Sequence, residues 1–478
     1  MNQLRFIHAA DLHLDSPFKG MTGIPERLRD RLRDSTFRAL YELLQLAISE
    51  RVDFMVISGD VYDLADRSLR AQIRFQRTLE QLAQLDIPVY VIHGNHDPED
   101  GRAAKLTWPS TVHFFSTEHV QTVAVEKPGR GVIAQIHGIS YPTAAVTDNL
   151  ALLFRRGELN VYQIGLLHTN VDGDAAHDNY APCTKHDLLR AGMDYWALGH
   201  VHTRKVLNSE PFIVYPGNIQ GRSIRETGPR GCYVVEVQKD GGTELTFHAL
   251  DRVRWYSTIV SLTGLHTEQE LRNKLDQERE FIRRDANGRD AIVRFALEGR
   301  GPLHGLLRKG NALAELVTEL RDEETAWLLE TPDWERKYGG SLDDKVNSSF
   351  TNPERISTVT SSAGGWANAE DGALIERRAE SGGLVWVESI EDRSGSELDL
   401  EALMQGTSFV SDLLRLSQSL QRDDAALRAF AGEALAALQS LPQAAGTAAL
   451  EPERLQQWLR AAEELAADLL AADGGCDG

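Results

Sequence analysis

The stretch YWALGHVHTR (residues 195–204) places two histidines, His200 and His202, one residue apart at the end of an apolar run. A period of two is that of a β-strand, so in extended chain both imidazoles point to the same side. Gly199 allows the backbone to turn sharply where the run stops. Two imidazoles aimed at one place are typical of metal ligands, but a lone pair is also explained by hydrogen-bonded core histidines. A metal site therefore requires further ligands elsewhere in the chain.

Apolar runs rich in β-branched residues recur through the first half of the chain. Besides 195–202 they cover 4–13, 53–60, 88–97, 132–141 and 162–170. Amphipathic stretches near 26–50 and 67–85 lie between the first three runs. Alternation of apolar strands with helices predicts a layered α/β domain with buried strands. In open α/β sheets, ligands bind at the carboxyl ends of the strands.

Each of these runs but one ends in a cluster of Asp, His, Asn or Gly. The clusters are ADLHLD with Asp11 and His13, SGDVYD with Asp60 and Asp63, HGNHD with Asn95, His96 and Asp97, LLHTN with His168, and GHVH with His200 and His202. Alone, each is explained as a turn, a surface pair or a core histidine, but five in succession favour one shared site. Two divalent ions ~3.5–4 Å apart need a shared carboxylate between them and can clamp a phosphoryl group. Nitrogen and oxygen ligands without a thiolate suit manganese, iron or zinc rather than magnesium alone.

The ordered set D-x-H, G-D-x-x-D, G-N-H-D, H and G-H-x-H resembles the calcineurin-like metallophosphoesterase superfamily over residues 1–250. The resemblance implies a layered β-sandwich flanked by helices. It also implies a metal-dependent phosphodiesterase with two divalent ions, manganese first, with iron, zinc or magnesium as alternatives.

The same resemblance assigns roles to the candidate residues. One metal would be bound by Asp11, His13 and His202, the second by Asn95, His168 and His200, and Asp60 would bridge the two. His96 would act as general acid or stabilise the transition state. Asp97 would orient His96, and Asp63 would lie behind the ligands.

The segment IHAADLHLDSPF, the module after residue 255 and the distal helices together resemble bacterial DNA repair exonucleases. These are nuclease partners of SMC-like ATPases that repair double-strand breaks. The resemblance implies DNA as substrate and the coiled coil of such an ATPase as partner. Some members carry a histidine where this chain has Asp63, which leaves the balance of exonuclease and endonuclease activity open.

The pattern predicts four segments in the 478 residues. They are a metallophosphoesterase (nuclease) domain at 1–252, a small α+β capping domain at 253–335, a polar linker with one strand (LVWVESI, 384–390) at 336–395, and C-terminal helices at 396–472. In the capping domain, helices are expected at 267–284 and 304–322. Three amphipathic stripes are expected in the tail, at 409–420, 427–441 and 455–469. The first, within TSFVSDLLRLSQSL (407–420), is the candidate docking segment; a small bundle of its own is the alternative.

Composition limits the function further. Three cysteines without a CxxC pattern exclude a disulfide framework and suit a reducing cytoplasm. No apolar stretch reaches the ~18–20 residues of a membrane span, and the N-terminus lacks the apolar core of a signal peptide. The oligomeric state stays open, with a homodimer as one alternative.

A net charge of −20 argues against binding nucleic acid by bulk electrostatics. Two arginine groups could contact a DNA backbone or simply be solvated. They are Arg67, Arg70, Arg74 and Arg77 after GDVYD, and Arg222, Arg225 and Arg230 in the loop GNIQGRSIRETGPRG (217–231). The acidic charge favours a second hypothesis, a phosphodiesterase or phosphatase acting on a nucleotide, lipid or phosphoprotein. A non-catalytic scaffold is a third, opposed by the complete ligand set.

Overall fold

The fold is taken from a computed structural model of the chain. It describes residues 3–439 except 22, 64–67, 100–103, 105, 175–177, 331–382, 398–399 and 408, together with 454–460, 462–463 and 466. The chain divides into two compact units. The first draws on Met1–Ser257, Phe281–Val293 and Arg321–Glu388, and the second on Thr258–Glu280, Arg294–Leu320 and Ser389–Gly478.

The described strands and helices are as follows. The strands are β1 (Leu4–Ala9), β2 (Phe54–Ser58), β3 (Val89–Ile92), β4 (Val112–Phe114), β5 (Gln121–Lys127), β6 (Gly131–Gly138), β7 (Tyr162–His168), β8 (Tyr195–Gly199), β9 (Lys205–Ser209), β10 (Phe212–Tyr215), β11 (Gly231–Val237), β12 (Thr243–Ala249), β13 (Val253–Ser261), β14 (Asp290–Arg300) and β15 (Val385–Gly395). The helices are α1 (Glu26–Ser49), α2 (Leu69–Gln84), α3 (Lys185–Arg190), α4 (Glu268–Ala286), α5 (Leu303–Leu307), α6 (Ala312–Glu330), α7 (Leu400–Gln405), α8 (Phe409–Arg422) and α9 (Asp424–Gln439), with a 3-10 turn at Leu150–Leu153.

Two six-stranded sheets form the first unit. One has the order β12-β11-β1-β2-β3-β4 and the other β5-β6-β7-β8-β10-β9. Strands β1 to β4 are parallel neighbours, as are β6, β7, β8 and β10. The remaining strands pair antiparallel at the sheet edges. The parallel centres direct the carboxyl ends of β1, β2, β3, β7 and β8 to the same region.

The two sheets pack face to face as a sandwich. Phe6, Phe54 and Tyr90 of the first sheet share one buried cluster with Ile164 and Tyr195 of the second. Burial of apolar area on this scale is the main stabilising contribution of the fold. The expected α/β sandwich is therefore confirmed.

Helices cover the outer faces of the sandwich. α1 and α2 bury apolar side chains such as Leu40 and Phe75 against β1–β3. On the other sheet, α3 and the 3-10 turn pack Leu188 and Phe154 against Trp196. The amphipathic stretches at 26–50 and 67–85 form α1 and α2, and the six predicted runs form β1, β2, β3, β6, β7 and β8.

A third sheet has the order β13-β14-β15. The strand expected at 384–390 is present as β15. The helix expected at 267–284 is α4, whereas the one expected at 304–322 is two helices, α5 and α6. Gly310 between them has a φ of +57°, which a continuous helix does not allow.

In the tail, the first two stripes form α8 and α9, and residues 454–460 are helical. Leu420, Leu427 and Leu455 share a small buried cluster, as an independent bundle requires. The segment 336–382 and the stripe positions Leu441 and Leu469 lie outside the described residues. Within the part of the chain that the structure describes, no helix combines the length and the apolar composition that a membrane crossing needs.

Candidate metal centre

The backbone is left-handed at several candidate ligands. φ is +52° at Asp11, +42° at His13, +53° at Asp60 and +100° at His200. Residues other than glycine adopt such angles at a cost, and they persist only where surrounding contacts enforce them. Here the Asp11 N–H donates to Gly59 O at 3.1 Å, and the His13 N–H donates to Asp60 O at 3.0 Å. The turns after β1, β2 and β8 therefore aim their side chains at one place.

Glycines make room for His168 at the end of β7. A Cβ at Gly59 would lie 2.6 Å from His168 Nδ1, and a Cβ at Gly199 would lie 2.9 Å from the same atom. At Gly94 a Cβ would meet Asp60 Oδ1 at 2.3 Å and His168 Cε1 at 2.8 Å. The buried imidazole thus occupies space that side chains at these positions would fill.

Each of the four candidate ligand imidazoles has one nitrogen bound to an oxygen acceptor. His13 Nδ1 donates to Asp63 Oδ1 at 2.9 Å, His202 Nδ1 to Glu226 Oε1 at 2.6 Å, His168 Nδ1 to Ser58 O at 2.9 Å, and His200 Nε2 to Asp178 O at 2.7 Å. Because carboxylate and carbonyl oxygens only accept, these nitrogens carry the protons. In a neutral ring the other nitrogen then offers its lone pair, as a metal ligand must.

These second nitrogens converge. His13 Nε2 and His202 Nε2 lie 3.1 Å apart. Asn95 Oδ1 lies 2.9 Å from His168 Nε2 and 3.2 Å from His200 Nδ1. Two lone pairs at such a distance repel each other unless a proton or a metal cation lies between them. The arrangement therefore fits a cation at each of two neighbouring places.

Asp60 lies between the two groups of histidines. Its Oδ2 is 3.4 Å from His168 Nε2 and 3.9 Å from His13 Nε2. Burial pushes the pKa of Asp60 up, but the neighbouring imidazoles outweigh it and hold that pKa well below its usual range. The carboxylate is therefore charged, and it is placed to serve both groups.

The pKa values of Asp11 and His168 indicate that the site favours a bound positive charge. Burial raises the pKa of Asp11 to about 6, against the opposing effect of His168. Burial lowers the pKa of His168, but Asp60 and Asp11 outweigh it and raise that pKa to about 9. Without a metal, a proton is thus held among the carboxylates, and a bound cation would replace it.

Among the residues that the structure describes, donor atoms close enough for a single ion occur in three sets. Asp11 combines with His13 and His202 in one set and with Asp60 and His168 in another, and His13, Asp63 and His96 form a third. Within each set the donor atoms lie within 4.8 Å of one another. The donors are nitrogen and oxygen without thiolate, which fits divalent transition metals.

His96 is the most exposed histidine of the site, with 45% of its side chain accessible. Its Nδ1 lies 2.7 Å from Asp63 Oδ1. Burial lowers the pKa of His96, but the hydrogen bond that its ring donates to Asp63 and the charge of Asp60 outweigh this effect, so that pKa is raised. His96 can therefore carry a proton to a substrate atom outside the buried ligands.

Asp97 does not hold His96, contrary to the expectation. Its carboxylate accepts the backbone N–H groups of Asp60 at 3.2 Å, Val61 at 2.9 Å and Gly94 at 2.7 Å. The carboxylate beside the His96 ring is that of Asp63, which also binds His13. The turn after β3 directs the Asp97 side chain inward to the turn after β2, so it supports backbone rather than the imidazole.

The expected basic stripe on α2 is largely neutralised. Arg70 pairs with Asp34 and lies 3.5 Å from Asp15, and Arg74 lies 3.6 Å from Asp34. Both guanidinium groups also stack on Phe37. These two arginines therefore stabilise the α1–α2 packing, which does not support a DNA contact by them. Arg67 lies outside the described residues.

The sequence did not point to every residue that supports the site. Glu226, which binds His202, lies in the loop singled out only for its arginines. Asp178 and Ser58 act through backbone carbonyls, which every residue has and which no sequence pattern marks. Glu226 remains charged, since His202 and Arg222 outweigh the effect of burial and hold its pKa well below the usual range.

Comparison with known proteins agrees with this geometry. Residues 4–204 match the family described as calcineurin-like phosphoesterase, and residues 255–329 match the middle domain of metallophosphoesterase YhaO. The uncharacterized metallophosphoesterase YhaO of Bacillus subtilis is 39% identical over 68% of this chain and 79% of its own length.

More distant relatives have names that refer to DNA repair or to a nuclease. The DNA double-strand break repair protein Mre11 of Sulfurisphaera tokodaii is 25% identical over 65% of this chain and 77% of its own. A component of the nuclease SbcCD of Bacillus subtilis is 24% identical over 47% of this chain and 64% of its own. Calcineurin-like folds use divalent metals, and the side chains that such a site requires converge here. The chain belongs to the calcineurin-like metallophosphoesterase family.

Proposed function

We propose that the protein is a DNA nuclease that uses two divalent metals, manganese first, to hydrolyse phosphodiester bonds in repair or end processing. The observation that carries the proposal is the pair of facing nitrogens of His13 and His202, with Asp60 placed between them and His168. One metal is assigned to Asp11, His13 and His202, and the other to Asn95, His168 and His200, with Asp60 shared. When bound, the metals supply Lewis-acid activation of the phosphoryl group and of a water molecule.

The chain's own residues then handle protons and orientation. His96, exposed and with a raised pKa, donates a proton to the leaving oxygen. Asp63 fixes the His96 ring and the ligand His13 at the same time, which ties the proton donor to the metal site. Asp97 maintains the turns that carry Asp60 and Gly94.

DNA as the substrate is supported by the names of the distant relatives, Mre11 and the nuclease SbcCD. An SMC-like ATPase as partner rests on the sequence resemblance to bacterial DNA repair exonucleases, with the tail as its docking segment. α8 exposes Phe409 and Leu416, while Leu414 and Leu420 are buried. In the full-length protein, Leu416→Glu should abolish capture of the ATPase, and Leu152→Glu, an exposed leucine of the first unit, should not. Capture by both variants would place the docking surface elsewhere.

A second candidate is a phosphodiesterase for a small nucleotide or lipid headgroup. The net charge of −20 and the internal pairing of Arg70 and Arg74 favour it. The two candidates are separated by incubating the protein with end-labelled DNA and with bis-p-nitrophenyl phosphate, with manganese or with EDTA. Hydrolysis of DNA supports the nuclease, and hydrolysis of the small ester alone supports the second candidate. Asp60→Ala should lose metal content and hydrolysis together; full activity would rule out a shared bridging carboxylate.

A further inference from the structure

The loop between β10 and β11 carries Arg222, an arginine whose role the metal centre does not explain. Arg222 has only 10% of its side chain exposed, and its Nη1 lies 3.6 Å from Asp63 Oδ2, beyond hydrogen-bond distance. Its Nε is buried and has no hydrogen-bond partner among the described residues. A buried guanidinium with unused donors is costly, so its retention beside the site requires an explanation.

The backbone holds Arg222 firmly. Its N–H donates to Glu226 Oε2 at 2.6 Å, and its carbonyl accepts the Lys19 N–H at 2.9 Å. The preceding Gly221 carbonyl accepts from Trp255 Nε1 at 3.1 Å. The backbone from which the Arg222 side chain extends is thus fixed, and the guanidinium lies beside Asp63.

Arg230, in the same loop, is by contrast an arginine whose side-chain hydrogen bonds stabilise the fold. It donates to the carbonyls of His202, Glu226 and Thr227 and to Asn218 Oδ1. Its donors therefore tie the loop to the strand end that carries His202. Within the described part of the chain Arg222 makes no such set of bonds, although it is as well buried.

Asp63 places the guanidinium of Arg222 near the exposed proton donor. Its Oδ1 lies 2.7 Å from His96 Nδ1, and its Oδ2 lies 3.6 Å from Arg222 Nη1. A fixed positive charge beside the exposed proton donor favours an anion at that place. The planar guanidinium presents paired N–H groups that match two oxygens of a phosphate.

We propose that Arg222 binds the non-bridging oxygens of the substrate phosphodiester and holds its phosphorus beside His96. This inference rests on the proposed function and assigns the substrate-binding residue within it. Arg222 is then a binding residue for any phosphodiester, whether in DNA or in a small ester. Asp63 keeps the guanidinium in place without using up its donors.

The test compares Arg222→Gln and Arg222→Lys with Arg225→Gln, a change of an exposed arginine in the same loop. With manganese-loaded protein, Arg222→Gln should raise the KM for bis-p-nitrophenyl phosphate and the inhibition constant of inorganic phosphate by about 10- to 100-fold. Arg222→Lys should fall between, since it keeps the charge and loses the planar fork. Arg225→Gln should match wild type, and manganese content should be equal in all four proteins.

A second readout does not need turnover. Inorganic phosphate should raise the melting temperature of the manganese-loaded wild type and of Arg225→Gln, but not that of Arg222→Gln. A lower kcat or metal content with unchanged phosphate affinity would assign Arg222 a structural role and overturn the inference. If wild type hydrolyses neither DNA nor the small ester, the proposed function fails. The melting shift would still decide whether Arg222 binds phosphate.

Discussion

Replacing Asp97 by alanine removes the acceptor shared by three backbone N–H groups, those of Asp60, Val61 and Gly94. The carboxylate is fully buried, with 0% of its side chain exposed. A buried donor left without a partner costs about 1–3 kcal/mol. Water that enters the vacated space recovers part of this, so the free energy of unfolding should fall by about 3–6 kcal/mol. That is a large share of the about 5–15 kcal/mol of a typical domain.

Asp97→Asn provides the graded control. Its amide oxygen can keep the bonds that Asp60 and Gly94 make to Oδ1, and only the Val61 bond to Oδ2 is lost. The expected loss is therefore about 1–3 kcal/mol, between wild type and Asp97→Ala. Urea unfolding followed by circular dichroism, with EDTA throughout, separates this effect from metal binding.

Support of backbone N–H groups and orientation of His96 are two alternative roles for Asp97, and they predict opposite outcomes for these variants. If this carboxylate acted only by orienting His96, both variants would unfold at the wild-type urea concentration and lose turnover alone. Unchanged stability in Asp97→Ala would refute the structural account. A stability loss in the order Ala, then Asn, would support it.

Further variants test the remaining roles. His96→Gln should retain manganese and lower kcat by ~10²–10⁴-fold, measured with a small phosphodiester; loss of the metal would make His96 a ligand. Glu226→Gln should weaken manganese binding by about 10- to 100-fold in calorimetry, because His202 loses its charged acceptor; unchanged affinity would count against that role. Burial lowers the pKa of His8 to about 3, whereas an unfolded histidine titrates near about 6.5. The folded state thus binds fewer protons in this window, and the free energy of unfolding should drop by about 2 kcal/mol between about pH 7 and pH 5. His8→Gln should remove that part of the pH dependence of the unfolding free energy, and His186→Gln, a change of an exposed histidine, should not. The same pH dependence in His8→Gln as in wild type would contradict the lowered pKa of His8.

The sequence predicted those strands that are mostly apolar along their length. β1, β2, β3, β7 and β8 are apolar runs that end in ligand types, so local sequence suffices for them. Edge strand β5 is half-exposed, and β9 is mostly exposed, which leaves a weaker pattern. β11 was not among the predicted strands, although it is almost wholly buried. The pairing of β15 with β14 joins residues about a hundred positions apart, and no local pattern encodes it.

The candidate site likewise contains features that local sequence predicts and features that it does not. Residue types at strand ends predicted candidate ligands that the structure brings close together, because metal chemistry restricts which side chains serve. The contact of His96 with Asp63 rather than Asp97 depends on the direction of two turns, which residue type does not determine. By sequence alone, Arg70 and Arg222 are equivalent basic residues near the predicted site. Only burial and distance separate the arginine that packs on Phe37 from the one that faces the site.

The close fit of Gly59, Gly94 and Gly199 around His168 bears on the order of assembly. In small zinc domains the metal gathers its ligands from an unfolded chain, and binding and folding are one event. Here the ring of His168 is enclosed by backbone, and its Nδ1 is held by the Ser58 carbonyl. Its orientation is therefore set by the sandwich itself. Binding of a divalent metal would then follow folding rather than drive it, and the apoprotein is expected to stay folded when metal is scarce.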